Sequence, residues 1–384
     1  MALLDFPPLR GAIPSAPDAN WDGWLRSVSG LREVPCAAPT CEPAHFAMRV
    51  LQLTNMYPSA QQPNRGVFVR SQVESLAHLG VASDVEEIQG YLSTINYLRA
   101  LPTLPSRVRF RRYDLLHIHF GYTAMAAIAV SGPPTVLSFC GDDLLGRPDE
   151  HGVRSRKSMA LVALGKWIAH RADAIIVKSQ EMAQVLGSGY ADVEVIPNGL
   201  DLDFFQPIPR QQARSALGWP QHAEILLFPA DSRELRKNFA LAEAVCARLR
   251  AAGRPVRLES MFGRPQRDIV TAMAAADVML SCSVQEGSPN TVKEAMAMNL
   301  PIVATDVGDC AERLAGCTLS ALMPASVDAF AAATEDILRM AGARSDGREQ
   351  VRELSVDTIA RRVVAVYRRA IANFEARLTL PRAR

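Results

Sequence analysis

Charge of one sign, paired cysteines and long apolar runs are all missing from this sequence. Its 42 Lys and Arg nearly balance its 40 Asp and Glu, leaving a formal net charge of +2 over 384 residues. Without a basic excess there is no general attraction to nucleic acid, and neither zinc-finger spacing nor a basic region joined to heptads is present. The seven cysteines, Cys36, Cys41, Cys140, Cys246, Cys282, Cys310 and Cys317, form no C-x-x-C pair. Such an odd, scattered set fits reduced thiols rather than a disulfide framework. No apolar run reaches the roughly 18 residues a spanning helix needs, and no basic region leads into an apolar core at the N-terminus, so a cytoplasmic location is expected. Two phosphate-binding signatures are also missing. No G-x-G-x-x-G follows Leu53 and no G-x-x-x-x-G-K-[ST] occurs anywhere, which removes the main support for a dinucleotide oxidoreductase or a P-loop NTPase.

What is present is a globular composition, 48% apolar and 21% charged, in a chain long enough for two domains at roughly 150 residues each. Residues 1–47 are rich in Pro, Ala and Ser without a sustained apolar period and read as an irregular extension. Trp21, Trp24 and Leu25 within it suit one helical turn. From Arg49 onward short apolar runs alternate with helical stretches: Val50–Leu53, Leu115–His119, Thr135–Phe139, Ala174–Val177 and Glu194–Ile196. This is the pattern of a buried parallel sheet. After Pro197-Asn198-Gly199 the same grammar restarts, with strands at Ile225–Phe228, Val256–Ser260, Val278–Ser281 and Ile302–Thr305 and helices from Phe239, Gln266 and Asn290. The expected division is 48–200, 201–355 and a tail, 356–384, whose helix crosses back over the first half.

In open parallel sheets ligands sit beyond the carboxyl ends of the strands. The richest such segment runs from Ser281 through Glu286-Gly-Ser-Pro-Asn-Thr-Val-Lys-Glu294. A strand ends, Gly287 allows a tight turn, Pro289 suits a first helical turn, and the helix that follows offers free amides to an anion. An isolated E-x7-E is usually no more than two surface carboxylates. Its context here, with Glu294-Ala-Met-Ala and then Pro301-Ile-Val-Ala-Thr-Asp-Val-Gly, resembles the family 4 glycosyltransferases of the GT-B fold. Pro197-Asn-Gly-Leu-Asp201, Ala276-Asp277-Val278 and the strand and basic loop from Phe228 to Lys237 strengthen the resemblance, which runs from about Arg49 to Ala372.

The resemblance implies two Rossmann-like α/β/α domains facing a cleft, and transfer of a hexose-type sugar from a nucleotide-diphosphate sugar to an acceptor hydroxyl with retention and without a metal. It implies that Glu294 binds the nucleotide ribose, that Glu286 lies by the donor sugar, and that Gly287, Ser288, Pro289 and Asn290 approach the sugar and phosphates. The leaving diphosphate needs positive charge. Lys237 matches the family lysine, whereas Arg233 stands four residues before it instead of the usual five, with Arg236 as its rival. Gly66, between Tyr57-Pro58 and Val67-Phe68-Val69-Arg70, resembles the family's first-loop glycine, where backbone can approach a phosphate or acceptor without a Cβ.

The acceptor half departs from the pattern. Many members carry F-H-G-x-D where this chain has Phe139-Cys140-Gly141-Asp142-Asp143, and a thiol cannot replace a bifunctional imidazole. Gly141 and Asp143 still match, and Asp143 is a candidate to orient an acceptor hydroxyl. His117 and His119 alternate on a strand and face one side. Lacking a third ligand nearby they read as core histidines rather than zinc ligands, with His119, nearer the strand end, as the catalytic candidate. Asp201-Leu202-Asp203 follows an interdomain turn rather than a nucleotide-binding strand, so it is not taken as a metal motif. Tyr91–Arg112 mixes apolar residues with five arginines. It suits either a helix over the sheet or a peripheral contact with the inner membrane face, and the acceptor is expected to be a sugar or lipid-linked. Two rivals stay open: a nucleotide-sugar epimerase of the same fold, and a non-catalytic sugar-nucleotide-binding partner in polysaccharide assembly.

Overall fold

The computed structural model describes residues 48–379 apart from 91, 92, 94, 112, 150 and 151. The expected extension 1–47, with Trp21, Trp24 and Leu25, lies outside the described residues, as do Tyr91, Leu92 and Arg112 of the basic stretch.

The first half holds six parallel strands, β1 (Met48–Thr54), β2 (Val81–Glu87), β3 (Leu115–His119), β4 (Thr135–Ser138), β5 (Ala174–Val177) and β6 (Val193–Val195), in the order β2-β1-β3-β4-β5-β6. The second half holds β7 (Glu224–Phe228), β8 (Val256–Ser260), β9 (Val278–Ser281), β10 (Ile302–Ala304) and β11 (Ser320–Leu322), in the order β11-β10-β9-β7-β8. Every strand from the sequence pattern is there, with ends shifted by a residue or so. The central ones, such as Ala174-Ile-Ile-Val177 and Val278-Met-Leu-Ser281, are buried throughout, as strands covered by helices on both faces must be. Each sheet reverses its order beside its first strand, between β1 and β3 and between β7 and β9. Loops leaving those strands therefore meet at the crevice where such folds bind ligands.

Two strands escaped the sequence pattern. β2 is an edge strand whose Asp84, Glu86 and Glu87 break any apolar run, and β11 is only three residues long. Edge strands need bury only one face, so their composition resembles a loop.

The last helix, Val356–Thr379, buries Ile359, Val363, Val366, Tyr367 and Ala370. At roughly 1.5–3 kcal/mol for each large apolar side chain removed from water, this stripe anchors it firmly. It does cross back: the Tyr367 hydroxyl lies 2.6 Å from His117 Nδ1 and 3.2 Å from Gln52 Nε2, both on the first sheet, and Arg369 pairs with Asp192 at 2.9 Å. The Pro197-Asn-Gly turn packs against its start, where a Cβ on Gly199 would fall 2.9 Å from Val356 Cα.

Asp277, one of the family landmarks, is a clamp. It accepts from Arg214 at 2.7 Å, Arg210 at 2.6 Å and the Ile225 amide at 2.7 Å, fixing helix Arg210–Leu217 to the second sheet. The basic stretch forms helices Ile95–Ala100 and Leu104–Arg111, whose Tyr97, Leu104 and Val108 pack into the first half's core. It thus covers the sheet, leaving Ile95 and Leu98 exposed. Among the described residues no helix is long and apolar enough to cross a membrane.

Candidate active site

The loops after β7 and β9 converge on Glu286. Its carboxylate is buried and accepts from Lys237 Nζ at 2.5 Å, Arg236 Nη1 at 2.8 Å and Ser283 Oγ at 2.8 Å. Burial alone would push the Glu286 carboxyl up, but Lys237 and Arg236 outweigh it and hold it below its ordinary value. Burial likewise disfavours charge on Arg236, yet Glu286, Asp142 and Glu234 around it raise its pKa. Glu286 is shared by both cations, and Glu234 at 2.7 Å and Asp142 at 3.7 Å also face Arg236, so an incoming anion would have to replace carboxylates already paired with them.

Arg233 does not join this cluster. Its side chain is largely exposed, pairs with Asp231 at 3.0 Å and lies over the Phe262 ring. The short 3-10 turn Leu235–Lys237 places Arg236 and Lys237 toward Glu286. The arginine that reaches Glu286 is Arg236, the rival of Arg233 in the spacing. The cause is local: Asp231 accepts both the Arg233 backbone amide and its guanidinium, turning that side chain back on its own loop.

Pro289 stands immediately before helix Asn290–Ala297 rather than in its first turn. Ser288 donates to Asp309 at 2.9 Å and accepts from Lys293 at 3.1 Å, and Asn290 accepts from Asn198 of the interdomain turn at 3.3 Å. Glu294, partly exposed, faces a cavity of about 550 Å³ shared with Asn290, Lys293 and, from the first half, Gly66 and Arg70. No hydrogen bond or ion pair among the described residues engages its carboxylate. Burial lifts that carboxyl to about 7, although Lys293 and Lys237 pull the other way. Gly66 adopts φ +70° at the start of helix Val67–Ala77, and a Cβ there would fall 2.5 Å from the Met56 carbonyl oxygen. A left-handed backbone and no room for a side chain together demand glycine.

Across the cleft, the Phe139–Asp143 loop meets Gly287 backbone to backbone: a Cβ on Gly287 would sit 3.1 Å from Gly141 Cα and 3.2 Å from the Cys140 carbonyl oxygen. Arg154 donates to Gln285 Oε1 at 2.6 Å and Gln285 Nε2 to the Gly146 carbonyl at 2.6 Å, so the halves are joined beside Glu286.

Asp143 is placed differently from expectation, while His117 and His119 are core histidines as their strand position suggests. Asp143 is buried and accepts the amides of Gly121 at 2.7 Å, Gly141 at 2.8 Å and Cys140 at 2.9 Å. Its oxygens thus shape a loop instead of meeting an acceptor hydroxyl. Burial raises it to about 6 against the pull of those three amides. The Cys140 thiol is pushed up to about 12 by burial. His119 is wholly buried, bonded to Gln52 at 2.9 Å and stacked 4.1 Å from His117. Burial and then the nearby Lys178 drive it down to about 3, so it is a neutral core imidazole and not a group facing the cleft.

Sequence reasoning missed Lys293 and Lys178, both buried cations whose pKa burial lowers, that of Lys293 to about 8. Lys293 stands inside the E-x7-E segment, one residue before Glu294, and that adjacency was its only signal. Asp201 accepts the amides of Asp203 and Phe204 at 3.0 and 2.9 Å, a local turn. Among the described residues no group of His, Cys, Asp and Glu is placed to hold a metal.

Comparison with known proteins fits this arrangement. A model described as Glycosyltransferase Family 4 matches residues 59–204, and one described as Glycosyl transferases group 1 matches residues 222–340. TuaC of Bacillus subtilis, named as a teichuronic acid biosynthesis glycosyltransferase, is 26% identical over 326 residues, covering 68% of this chain and 82% of TuaC. The D-inositol 3-phosphate glycosyltransferase of Mycobacterium tuberculosis strain F11 is 29% identical over 247 residues, and the match spans about half its length, 51%, and 54% of this chain. Among solved structures, sucrose-phosphate synthase from Thermosynechococcus elongatus superposes with a TM-score of 0.68 at 19% identity, covering 84% of this chain and 99% of that one. Anabaena HepE in complex with UDP-glucose gives 0.55 at 16% identity, covering 86% and 100%. At those identities the structures speak for the fold alone. With two parallel sheets, a helix crossing back, a cationic cluster on the first glutamate of E-x7-E and family matches in both halves, the chain belongs to the family 4 glycosyltransferases of the GT-B fold.

Proposed function

We propose that the protein moves a hexose-type sugar from a nucleotide-diphosphate sugar to an acceptor hydroxyl with retention of configuration, in polysaccharide or glycolipid assembly. The observation that carries this is the cluster of Lys237 and Arg236 on Glu286, with Lys237 near enough for its charge to act on Glu294, whose carboxylate opens onto the cavity of about 550 Å³. Glu294 accepts the ribose hydroxyls. Lys237, Arg236 and the amides at the start of helix Asn290–Ala297 receive the diphosphate, whose charge grows as the glycosidic C–O bond breaks. Glu286 holds the sugar and keeps both cations oriented.

Neither a cleft-facing imidazole nor an ionised thiol is available from Cys140 or His119 to take the acceptor proton. This supports attack on the face the diphosphate leaves. The acceptor oxygen bonds to the anomeric carbon, the bond to the phosphate oxygen breaks, and the acceptor proton passes to that oxygen. Because two side-chain cations supply the positive charge, transfer is expected to persist in EDTA. The name of TuaC and the nucleotide in the HepE complex make UDP-sugars and polymer or lipid-linked acceptors the first to test.

The test is in vitro transfer by the full chain with a panel of UDP-, GDP- and ADP-sugars, with and without acceptor. Product with the donor's anomeric configuration, lost in Glu286→Ala and Lys237→Ala, is the expected result. Sugar released or epimerised without acceptor, at the same rate as with it, would instead favour the epimerase.

A further inference from the structure

Helix Arg156–Ala169 carries apolar side chains on its outer face as well as its inner one. Its inner face buries Ser158, Val162, Gly165, Ile168 and Ala169 against the first half, while its outer face presents Met159, Leu164 and Trp167 at 42%, 38% and 59% exposure. At 3.6 residues per turn Met159, Ala160, Ala163, Leu164 and Trp167 form one outward stripe. Single exposed apolar residues need no explanation, but a contiguous stripe around a tryptophan marks an interaction surface.

Along the helix and its immediate flanks charge is of one sign. From Gly152 to Arg171 the chain has Arg154, Arg156, Lys157, Lys166 and Arg171 and no Asp or Glu, within a protein whose net charge is only +2. Arg154 and Lys166 are engaged by Gln285 and the Val185 carbonyl. Arg156, Lys157 and Arg171 are exposed, and no ion pair among the described residues involves them. The same helical layer continues through Ala124–Ala127 to Ile95–Ala100, where Ile95 and Leu98 are 49% and 58% exposed beside Arg99. The span Ile95–Arg111 also lacks acidic residues. An apolar stripe with tryptophan at its centre and cations at its rim matches the interface of an anionic bilayer, where the ring sits at headgroup level and the cations meet lipid phosphates.

We propose that this helical layer, centred on Trp167, docks the protein on an anionic lipid surface. The helix also packs on Asp142–Leu145, next to the Cys140–Gly141 backbone that meets Gly287. Docking there sets the acceptor side of the cleft beside the membrane, where a lipid-linked acceptor would present its sugar. That last step rests on the proposed transfer reaction; the docking itself does not.

Flotation of the full chain with phosphatidylcholine vesicles, with and without phosphatidylglycerol, reads the docking without any turnover. Binding is expected only when phosphatidylglycerol is present, and it should weaken as salt is raised. The doubly substituted Leu164→Glu, Trp167→Glu protein should lose at least about tenfold in bound fraction, and Arg156→Gln about fivefold, with melting temperature and nucleotide binding unchanged. Failure of the wild type to float, or equal flotation of the double variant, would overturn the proposal. So would gel filtration showing a dimer that the double variant dissolves, since the stripe would then face a second copy of this chain.

Discussion

The two walls of the cleft use their polar residues in opposite ways. On the second-half wall, Glu286 is held by the Lys237 and Arg236 side chains, and among the described residues no hydrogen bond or ion pair engages the Glu294 carboxylate. On the first-half wall, Asp143 is spent on three backbone amides, His119 on Gln52, and Cys140 remains a thiol. Glu294 on one wall opens onto the cavity, whereas the other wall consumes Asp143 and His119 in building a loop and a sheet, and of its carboxylates Asp142 reaches Arg236 at 3.7 Å. On the proposed function, recognition by charge would centre on the donor wall, with the acceptor wall offering mainly shape and backbone.

The largest effect that could break this contrast lies at the cationic cluster. Lys237→Ala should lower transfer about 10²–10³-fold, as removal of a charge-stabilising donor does elsewhere, measured as kcat with saturating donor. An unchanged kcat would move the diphosphate elsewhere. Next, Asp143→Ala should behave as a stability variant, costing about 1–3 kcal/mol through its unsatisfied amides, read by urea unfolding. A protein of unchanged stability but abolished transfer would return Asp143 to the acceptor site.

Glu294 sharpens the contrast through pH. Its folded pKa, near 7, lies above the value for an exposed glutamate, so the folded protein holds this proton more tightly than the unfolded chain. The group therefore favours folding at low pH, and that contribution is lost as pH rises from about 4.5 through about 7. Ribose hydroxyls donating to the carboxylate stabilise its charged form. Donor binding at pH 6 should accordingly release a proton, detected by calorimetry in buffers of different ionisation enthalpy. Glu294→Gln should abolish that release and weaken the donor about tenfold. Smallest of all, Arg233→Ala should change transfer by less than about twofold, because its exposed pair with Asp231 is far from Glu286 in function.

Much of the fold was legible because buried parallel strands and covering helices leave strong apolar periods. β2 and β11 were not, since an edge strand with Asp84, Glu86 and Glu87 and a strand of three residues leave none. At the site, Glu286 with Lys237, and Glu294 with Gly66, were picked out by sequence and are brought together in pairs by the fold. The choice between Arg233 and Arg236 depended on which way a short 3-10 turn faces, and spacing carries no such information. Asp143 is an acceptor-side candidate and His119 a catalytic one by motif and strand position, but a motif cannot say whether a carboxylate points to a ligand or to its own backbone amides, nor whether an imidazole faces the cleft or the core. Lys293 and Lys178 show the same limit: burial of a lysine is a tertiary fact.

Titration calorimetry of a nucleoside diphosphate against the full chain, Lys237→Ala and Arg233→Ala, tests the central assignment most directly. The wild type and Arg233→Ala should bind alike while Lys237→Ala loses most of its affinity. Binding lost in Arg233→Ala and kept in Lys237→Ala would contradict the placement of the diphosphate at Glu286.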